Sequence, residues 1–313
     1  MDTHHETITN VIGFDVGKAS IVAFDSAAER LFSIENTPAA LRRFLKAFGP
    51  AKTFAVCEAT GGYEAALLHA LIPAHRADAA KVKAYIRSLG VLGKTDAIDA
   101  RALAAYGAER GDRLARWQPV EEERQQLQAL VLRRIDLIAM RVAEKNRLHA
   151  PQSRPIAASL KTVIRCLERQ IAALDVQIAA LIDTCQTLRM HVETMRAMPG
   201  IGAVSAAGLT ALMPELGRMN RRQAAALAGL APHPNDSSTI KGYRRIRGGR
   251  REVRQILFMV AMVAARHNPD LKTFYKRLIE KGKKPIVALT ALMRKIIVIL
   301  NAKIRDQVIN QES

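Results

Sequence analysis

Cysteine and aromatic residues are scarce in this 313-residue chain. The three cysteines, Cys57, Cys166 and Cys185, have no spacing suited to a zinc site or a disulfide framework, which argues against a small disulfide-stapled secreted fold. Aromatic residues make up only 4% of the chain, and this scarcity, together with abundant alanine, favours a largely helical fold.

Long hydrophobic runs are also missing. The most apolar late segment, residues 286–300, is interrupted by Arg294 and Lys295, which argues against a membrane span. The N-terminus has no basic segment followed by an apolar one, as a secretory signal would have. We therefore expect a cytoplasmic protein with no membrane partner.

Positive charge is abundant and unevenly distributed. The net charge is +19, but residues 1–110 carry 13 Lys and Arg against 12 Asp and Glu, whereas residues 111–313 carry 35 against 17. The basic surplus thus lies in the last two thirds of the chain. A surplus of this size and position predicts a polyanionic partner, of which nucleic acid is the most common.

The N-terminal segment, residues 1–110, has the pattern of an α/β domain. A turn is predicted at residues 13–17, with Asp15 at its mouth. The predicted strands are residues 8–14, 20–24, 31–34, 53–57 and 74–78, and the predicted helices are residues 38–48 and 63–71, followed by more than one helix within residues 80–107.

The middle segment, residues 119–190, has the pattern of long helices broken at Pro151 and Pro155. After the break, isoleucines and leucines alternate at steps of four and three, as in a coiled-coil seam. The seam consists of Leu160, Ile164, Leu167, Ile171, Leu174, Ile178 and Leu181. Two alternatives fit so short a seam: a parallel dimer, or an antiparallel hairpin within one chain.

The last segment, residues 191–313, has the pattern of a mostly helical domain with glycine-rich loops at residues 199–202 and 235–251. The first loop resembles the turn of a helix-hairpin-helix, in which Gly200 and Gly202 would let backbone amides approach a phosphate. A plain tight turn between packed helices is the alternative.

Four acidic residues are candidates for a shared site: Asp15, Glu58, Asp96 and Asp99. Glu58 follows a predicted buried strand, and the last two, three residues apart, share one helical face. Taken singly, each acid has a local explanation as a turn residue, a solvated strand end or a helix cap. Together they predict a site for divalent cations, which can stabilise the attacking and leaving oxygens of a phosphoryl transfer.

The second glycine-rich loop combines a serine with dense positive charge. Ser237 is a candidate nucleophile, because neighbouring guanidinium groups would neutralise charge in the transition state. On its own, a Ser-Ser pair in a loop is more often turn chemistry. The basic residues predicted to contact nucleic acid are Lys241, Arg244, Arg245, Arg247, Arg250, Arg251 and Arg254.

In this order, these segments resemble the DEDD transposases of bacterial insertion sequences, the IS110 family, over nearly the whole chain. The motifs that carry the resemblance are GFDVGK at 13–18, EATGGY at 58–63, KTDAIDAR at 94–101, PGIG at 199–202, AALAGLAP at 225–232, DS at 236–237, GGR at 248–250 and MRK at 293–295.

The resemblance implies a RuvC-like, RNase H-type domain at residues 1–110, whose four acids bind Mg²⁺ or alternatively Mn²⁺. It also implies a coiled coil at 119–190 and a transposase domain with a nucleophilic serine at 191–313. Members form homodimers that assemble into a tetramer on DNA, and a guide RNA pairs with donor and target DNA.

Two positions depart from the family pattern. Ser238 stands where the family has glycine, so Ser237 is the predicted nucleophile and Ser238 the alternative. Residues 65–74 form a segment that is shorter than in the family, with Pro73 in place of a glycine turn.

The predicted function is therefore that of a transposase or site-specific DNA recombinase. Two alternatives belong to other classes: a metal-dependent, junction-resolving nuclease that needs only the acids, and a non-catalytic nucleic-acid-binding protein that uses the hairpin and the basic loop.

Overall fold

A five-stranded mixed sheet forms the centre of the first of two units, Met1–Pro119 and Val120–Ser313. The computed structural model describes residues 9–48, 52–70, 73–91, 93–234, 236–237, 240–242 and 244–312. The strands are β1 (Asn10–Val16), β2 (Ser20–Asp25), β3 (Arg30–Glu35), β4 (Thr53–Glu58) and β5 (Ala74–Ala77).

The strand order in this sheet is β3-β2-β1-β4-β5. The first three strands form an antiparallel meander, whereas β1, β4 and β5 run parallel to one another. This arrangement confirms the predicted mixed α/β N-terminal region and is compatible with an RNase H-like transposase domain.

Four helices accompany the sheet: α1 (Pro38–Leu45), α2 (Ala65–Ala70), α3 (Ala79–Ser88) and α4 (Asp96–Arg110). Three of them start at a side chain that accepts a hydrogen bond from the first turn: Thr37 for α1, Asp78 for α3 and Thr95 for α4. Apolar side chains fill both faces of the sheet, and α4 lies against β1, β2 and β4.

The predicted turn at residues 13–17 is wrong, because β1 continues through Val16 and the chain turns between Gly17 and Ser20. Gly13 lies inside the strand and is needed there for packing. A Cβ atom at Gly13 would stand 2.1 Å from the Ala100 carbonyl oxygen and 2.4 Å from the Ala104 nitrogen, both in the backbone of α4. The glycine therefore marks a close helix–strand approach.

Two long helices, α5 (Glu122–Leu148) and α6 (Ala157–Thr184), open the second unit and pack against each other. Ion pairs Arg134–Asp175 and Lys145–Glu168 connect them, and the residue numbers run in opposite directions along the two helices. The structure thus shows the antiparallel hairpin within the chain. The isoleucines of the predicted seam are buried, whereas Leu167, Leu174 and Leu181 are half-buried.

The remaining helices build the core of the second unit. They are α7 (Gln186–Arg196), α8 (Ala203–Leu212), α9 (Arg221–Leu227), α10 (Arg251–His267), α11 (Pro269–Glu280) and α12 (Pro285–Glu312). One large apolar cluster contains buried residues of α7, α8, α10 and α12, together with residues from the N-terminal part of α5 and the C-terminal part of α6.

The stretch Pro285–Ile309 of α12 is long and apolar enough to cross a membrane, and α6 with α7 passes the same test only as a bent pair. In α12 the apolar side is used within the fold, because Leu292, Ile296, Leu300 and Ile304 are buried in the core of the unit. A core helix has the same composition, so this composition assigns no membrane role.

Candidate active site and nucleic-acid surface

Asp15 and Glu58 lie on neighbouring parallel strands at the same level of the sheet. The register pairs Phe14 of β1 with Cys57 of β4, so the two acids are the next residues along each strand. Residues at the same level of adjacent strands point to the same face. Asp15 therefore lies near the C-terminal end of β1, the central strand of the sheet, rather than in a turn.

Asp96 and Asp99 reach the same region from the first turn of α4. Thr95 caps this helix by accepting a hydrogen bond from the Ile98 amide, and acidic side chains in a first turn complement the helix dipole. Because Gly13 lets α4 approach β1, the start of the helix lies near Asp15.

The electrostatics of Asp15 indicate that the four acids share one region. The pKa of Asp15 is raised from 3.8 to about 6, mainly by burial and then by the negative charges of Asp96, Asp99 and Glu58, in that order, while the positive charge of Lys94 opposes them. Within the described ranges, however, no three His, Cys, Asp or Glu side chains are close enough together to hold a metal ion.

The loop after Glu58 is organised by Glu64, whose side chain is only 2% exposed. One carboxylate oxygen accepts hydrogen bonds from the Thr60 amide at 3.2 Å, the Thr60 hydroxyl at 2.6 Å and the Gly62 amide at 2.9 Å. The other oxygen is 2.7 Å from both Nε and Nη2 of Arg76 on β5. Residues 60–64 are therefore fixed against the sheet.

The charge state of Glu64 agrees with this arrangement. Burial raises its pKa, but hydrogen bonds from Thr60, from its own amide and from Gly62, together with the charge of Arg76, outweigh burial and lower the pKa from 4.5 to about 2. Glu64 is thus a buried carboxylate that stays ionised.

Asn36 connects this loop to the turn that follows Asp15. Its side-chain amide donates hydrogen bonds to the Gly17 carbonyl at 2.9 Å and the Tyr63 carbonyl at 3.0 Å. One amide group therefore joins the backbone two residues beyond Asp15 to the backbone five residues beyond Glu58.

Ser237 lies in the second unit on a short antiparallel strand pair. The pair consists of β7 (Asp236–Ser237) and β8 (Ile240–Lys241), in which Ser237 is opposite Ile240; it lies in the chain between the strands of a second short pair, β6 (Pro232–His233) and β9 (Arg245–Ile246). Asp236 and Ser237 are exposed. The alternative nucleophile, Ser238, lies outside the described residues.

The predicted basic residues divide into two groups. Arg250 forms a two-pronged ion pair with Glu215, at 2.7 and 2.6 Å, and also donates to the Leu212 carbonyl at 2.6 Å. Arg254 donates to the Gly248 carbonyl at 2.9 Å. By contrast, the other arginines of the set are exposed: Arg244, Arg245, Arg247 and Arg251. The side chain of Lys241 lies outside the described part.

Two glycines anchor the basic loop to α9. A Cβ atom at Gly249 would stand 2.1 Å from the Gly229 nitrogen, and both residues have a positive φ. The Arg250 amide also donates to the Leu227 carbonyl. The GGR and AALAGLAP motifs thus pack against each other, which the sequence did not reveal.

The loop that joins α7 to α8 has one open and one packed glycine. Gly200 has a φ of 106°, and a Cβ atom there would stand 2.9 Å from the Cα atom of Ala264 on α10. Gly202 caps α8, and no atom lies within 4 Å of where its Cβ would stand. Beside them, with Ser205 and Met259, lies a cavity of about 480 Å³.

Comparison with known proteins identifies both parts of the chain. Residues 12–151 match the family model of the DEDD transposases of IS110 elements, and residues 192–276 match that of the IS116/IS110/IS902 transposases. The pilin gene-inverting protein of Moraxella lacunata is 32% identical over 259 residues, which cover 80% of each chain. The chain belongs to the IS116/IS110/IS902 family of transposases.

Further relatives of this transposase are insertion-element proteins. The 44.8 kDa protein of insertion element IS116 from Streptomyces clavuligerus is 25% identical, with 98% of this chain and 97% of that protein covered. The 42 kDa protein of IS900 from Mycobacterium paratuberculosis is 32% identical over 47% of this chain and 39% of its own length. The protein is thus a DNA-cleaving and DNA-joining enzyme of the transposase class.

Sequence reasoning missed four residues that this transposase uses to build the acid region. Asn36, Glu64 and Arg76 position the loops, and Lys94 carries a positive charge that lowers the pKa of Asp15. Lys94 could have been singled out from its place in KTDAIDAR. Nothing in the sequence marks Glu64, which resembles a solvated acid before a helix.

Proposed function

We propose that this transposase cleaves and rejoins DNA with the four acids of its first unit and the Ser237 hydroxyl of its second. The observation that carries the proposal is the effect of Glu58, Asp96 and Asp99 on the pKa of Asp15, since four acids on three elements are otherwise an unfavourable arrangement. A binding site for a cation would account for this grouping of four acids.

The residues fit Mg²⁺, with Mn²⁺ as the alternative, because carboxylate oxygens are the ligands these ions prefer. Asp15, Glu58, Asp96 and Asp99 would hold the ion, and it would supply charge stabilisation at the phosphate. The side chains would have to move closer together, which their present mutual repulsion opposes.

The acid cluster is tested by the isosteric change Asp15→Asn. We expect DNA cleavage in Mg²⁺ to fall at least about a hundredfold, because the variant loses transition-state charge stabilisation. DNA binding should be retained, since the basic surplus lies beyond residue 110. A variant that cleaves like the wild type would contradict the metal site.

The proposed cleavage step conserves the energy of the DNA phosphodiester bond in a phosphoserine bond between protein and DNA. The Ser237 oxygen forms a bond to phosphorus as the bond from phosphorus to one DNA oxygen breaks. The serine proton goes to a base, and the departing DNA oxygen takes up a proton. The reverse reaction with another DNA hydroxyl rejoins a strand without an external energy source. Exposed Arg244, Arg245 and Arg247 would neutralise charge on the phosphate.

Ser237→Ala and Ser238→Ala test this step as a matched pair. We expect Ser237→Ala to abolish both recombination and the protein–DNA adduct trapped under denaturing conditions, and Ser238→Ala to retain an appreciable fraction of both. The opposite result would assign the role to Ser238. Cleavage without any adduct in the wild type would favour the alternative function, a nuclease that uses water.

DNA contacts are proposed at two places in the second unit. The backbone around Gly200 and Gly202 would approach a phosphate at the start of α8, as in a helix-hairpin-helix, and the exposed arginines of the basic loop would follow the DNA backbone. The openness around Gly202 supports the first contact.

We further propose, from the family resemblance, that donor and target DNA are selected by a guide RNA and that homodimers assemble into a tetramer on DNA. The net charge of +18 carried by residues 111–313 supports a polyanionic partner. Half-buried Leu167 and Leu174 leave the α5–α6 hairpin a short apolar edge for a coiled-coil contact, whereas Leu181 packs against the core of the unit. RNA that co-purifies and light scattering with and without DNA test these two points.

A further inference from the structure

Tyr63 stands out in the acid region because the residue is 48% exposed although its backbone carbonyl is hydrogen-bonded. The preceding glycines, Gly61 and Gly62, have φ values of 78° and 121°, conformations that side-chain-bearing residues rarely adopt. Glu64 binds the loop on one side, and Asn36 holds the Tyr63 carbonyl on the other. The loop therefore presents a large aromatic side chain to solvent in a fixed place.

The loop is fixed by burying a charged side chain, which is unfavourable in free energy. Glu64 is an ionised carboxylate with almost no solvent exposure, and a buried charge is tolerated only when it is paired and fully hydrogen-bonded. The ring that the loop presents is thus a candidate for ligand contact.

The position of Tyr63 limits what that ligand can be. The Asn36 amide bonds to both the Tyr63 and Gly17 carbonyls, so the loop lies beside the turn that follows Asp15. The acids there repel phosphates unless cations are present. An uncharged aromatic face can hold nucleic acid beside such acids, because nucleobases stack on tyrosine regardless of charge.

We propose that the Tyr63 ring is a stacking platform for an unpaired nucleobase next to the phosphate that the acid cluster acts on. This proposal rests on the proposed function, since it takes the acids to be the site of DNA cleavage. Strand cutting requires local access to the backbone, and a stacked base would hold the opened strand in place beside Asp15 and Glu58.

The test uses the full-length Asp15→Asn protein, which we expect to bind without cutting, and a gapped duplex made from the DNA flanking its own gene. 5-Iodouracil replaces the unpaired thymines, and long-wavelength irradiation crosslinks it to an aromatic residue in contact. We expect the crosslink at Tyr63, in the tryptic peptide spanning residues 53–76. A crosslink confined to other residues would overturn the proposal.

Substitutions distinguish stacking from other roles of the side chain. Tyr63→Leu should remove the crosslink and weaken binding of the gapped duplex about tenfold, within the range for one base stacked on an aromatic ring, whereas Tyr63→Phe should stay within about twofold of the parent. Leu89→Ala, at a residue of similar exposure in the same unit, is the matched control and should change neither.

Two results would overturn the stacking proposal. The first is that Tyr63→Leu, compared with the Leu89→Ala control, binds and crosslinks the gapped duplex as well as the parent does. The second is that Tyr63→Phe loses as much binding as Tyr63→Leu. Failure of the proposed function is measured separately, by cleavage of the same duplex by the wild type and Asp15→Asn in Mg²⁺. Equal cleavage by these two proteins would reject the acid site, while a Tyr63 crosslink would still support base stacking.

Discussion

Glu64 shows how a single side chain can set the conformation of the loop after Glu58 without itself belonging to the group of four acids. Its two oxygens receive donors from Thr60, Gly62 and Arg76, so both the loop and β5 depend on its negative charge. Removing such an acceptor leaves several donors unpaired, which costs more than the net value of the bonds themselves.

The Glu64 carboxylate predicts a specific dependence of stability on pH. Its pKa is about 2 in the folded protein against 4.5 for the free group, so its stabilising effect is complete above pH 4.5 and is lost as the pH falls from 4.5 towards 2. We expect Glu64→Gln to be about 2 kcal/mol less stable at pH 7, and this difference to shrink below pH 4.5.

Urea unfolding of the wild type and Glu64→Gln between pH 7 and pH 3 measures this difference. Asp78→Asn is a useful control, because Asp78 is an exposed cap of α3 and asparagine caps equally well. A difference between wild type and Glu64→Gln that is constant with pH would mean that ionisation of Glu64 contributes nothing to folding.

At the scale of elements, the contact between α4 and β1 assembles the acid region. Gly13 and Gly107 are the two points of closest approach; a Cβ atom at Gly107 would stand 2.6 Å from the Val56 side chain and 2.7 Å from that of Val11. Asp15 comes from the strand, and Asp96 and Asp99 come from the helix. The spacing between the elements therefore sets the spacing between the acids.

Gly13→Ala should push α4 away from the sheet. The added methyl would meet the backbone of Ala100 and Ala104, which cannot yield as a flexible side chain does, so we expect a loss of about 2–3 kcal/mol of unfolding free energy and loss of cleavage. Gly111→Ala is the matched control, because its helical backbone has open space around it. Thermal unfolding and a cleavage assay report the two effects.

Much of the first unit could be predicted because β2 alternates, β4 is almost fully buried, and three of the four helices have a side-chain cap. The strand at residues 53–57 and the one at 74–78 agree with β4 and β5 to within one residue. Gly13 was misjudged because a turn glycine and a packing glycine look alike in sequence; only the neighbouring helix distinguishes them. Glu64 and Asn36 were missed because their partners are distant in sequence or are backbone atoms.

The positive charge of the molecule lies mainly in the second unit. Some of its basic side chains are paired within the protein, whereas others are exposed to solvent. Arg250 is neutralised by Glu215, whereas Arg247 is exposed. A basic residue that contacts a DNA phosphate releases counterions and adds to the salt dependence of binding, but one engaged within the protein does not.

Arg247→Ala and Arg250→Ala should therefore differ. We expect Arg247→Ala to lower the slope of log affinity against log salt concentration by about 1 and to leave stability unchanged. Arg250→Ala should cost about 1–3 kcal/mol of stability, because it leaves the Leu212 carbonyl and Glu215 without their donor. DNA-binding titrations at several salt concentrations and thermal unfolding separate the two; an equal salt slope in wild type and Arg247→Ala would move the DNA path off this loop.

The close contact at Gly13 has a consequence in the gene as well. All glycine codons begin with the same two bases, so every missense change of a single base there introduces a residue with a Cβ atom, and that atom would collide with the backbone of α4. Changes at the third base are silent. Among diverging copies of the gene, we therefore expect no mild missense change at this codon. A single-base substitution either is silent or introduces a side chain that pushes α4 away from β1, the strand that carries Asp15.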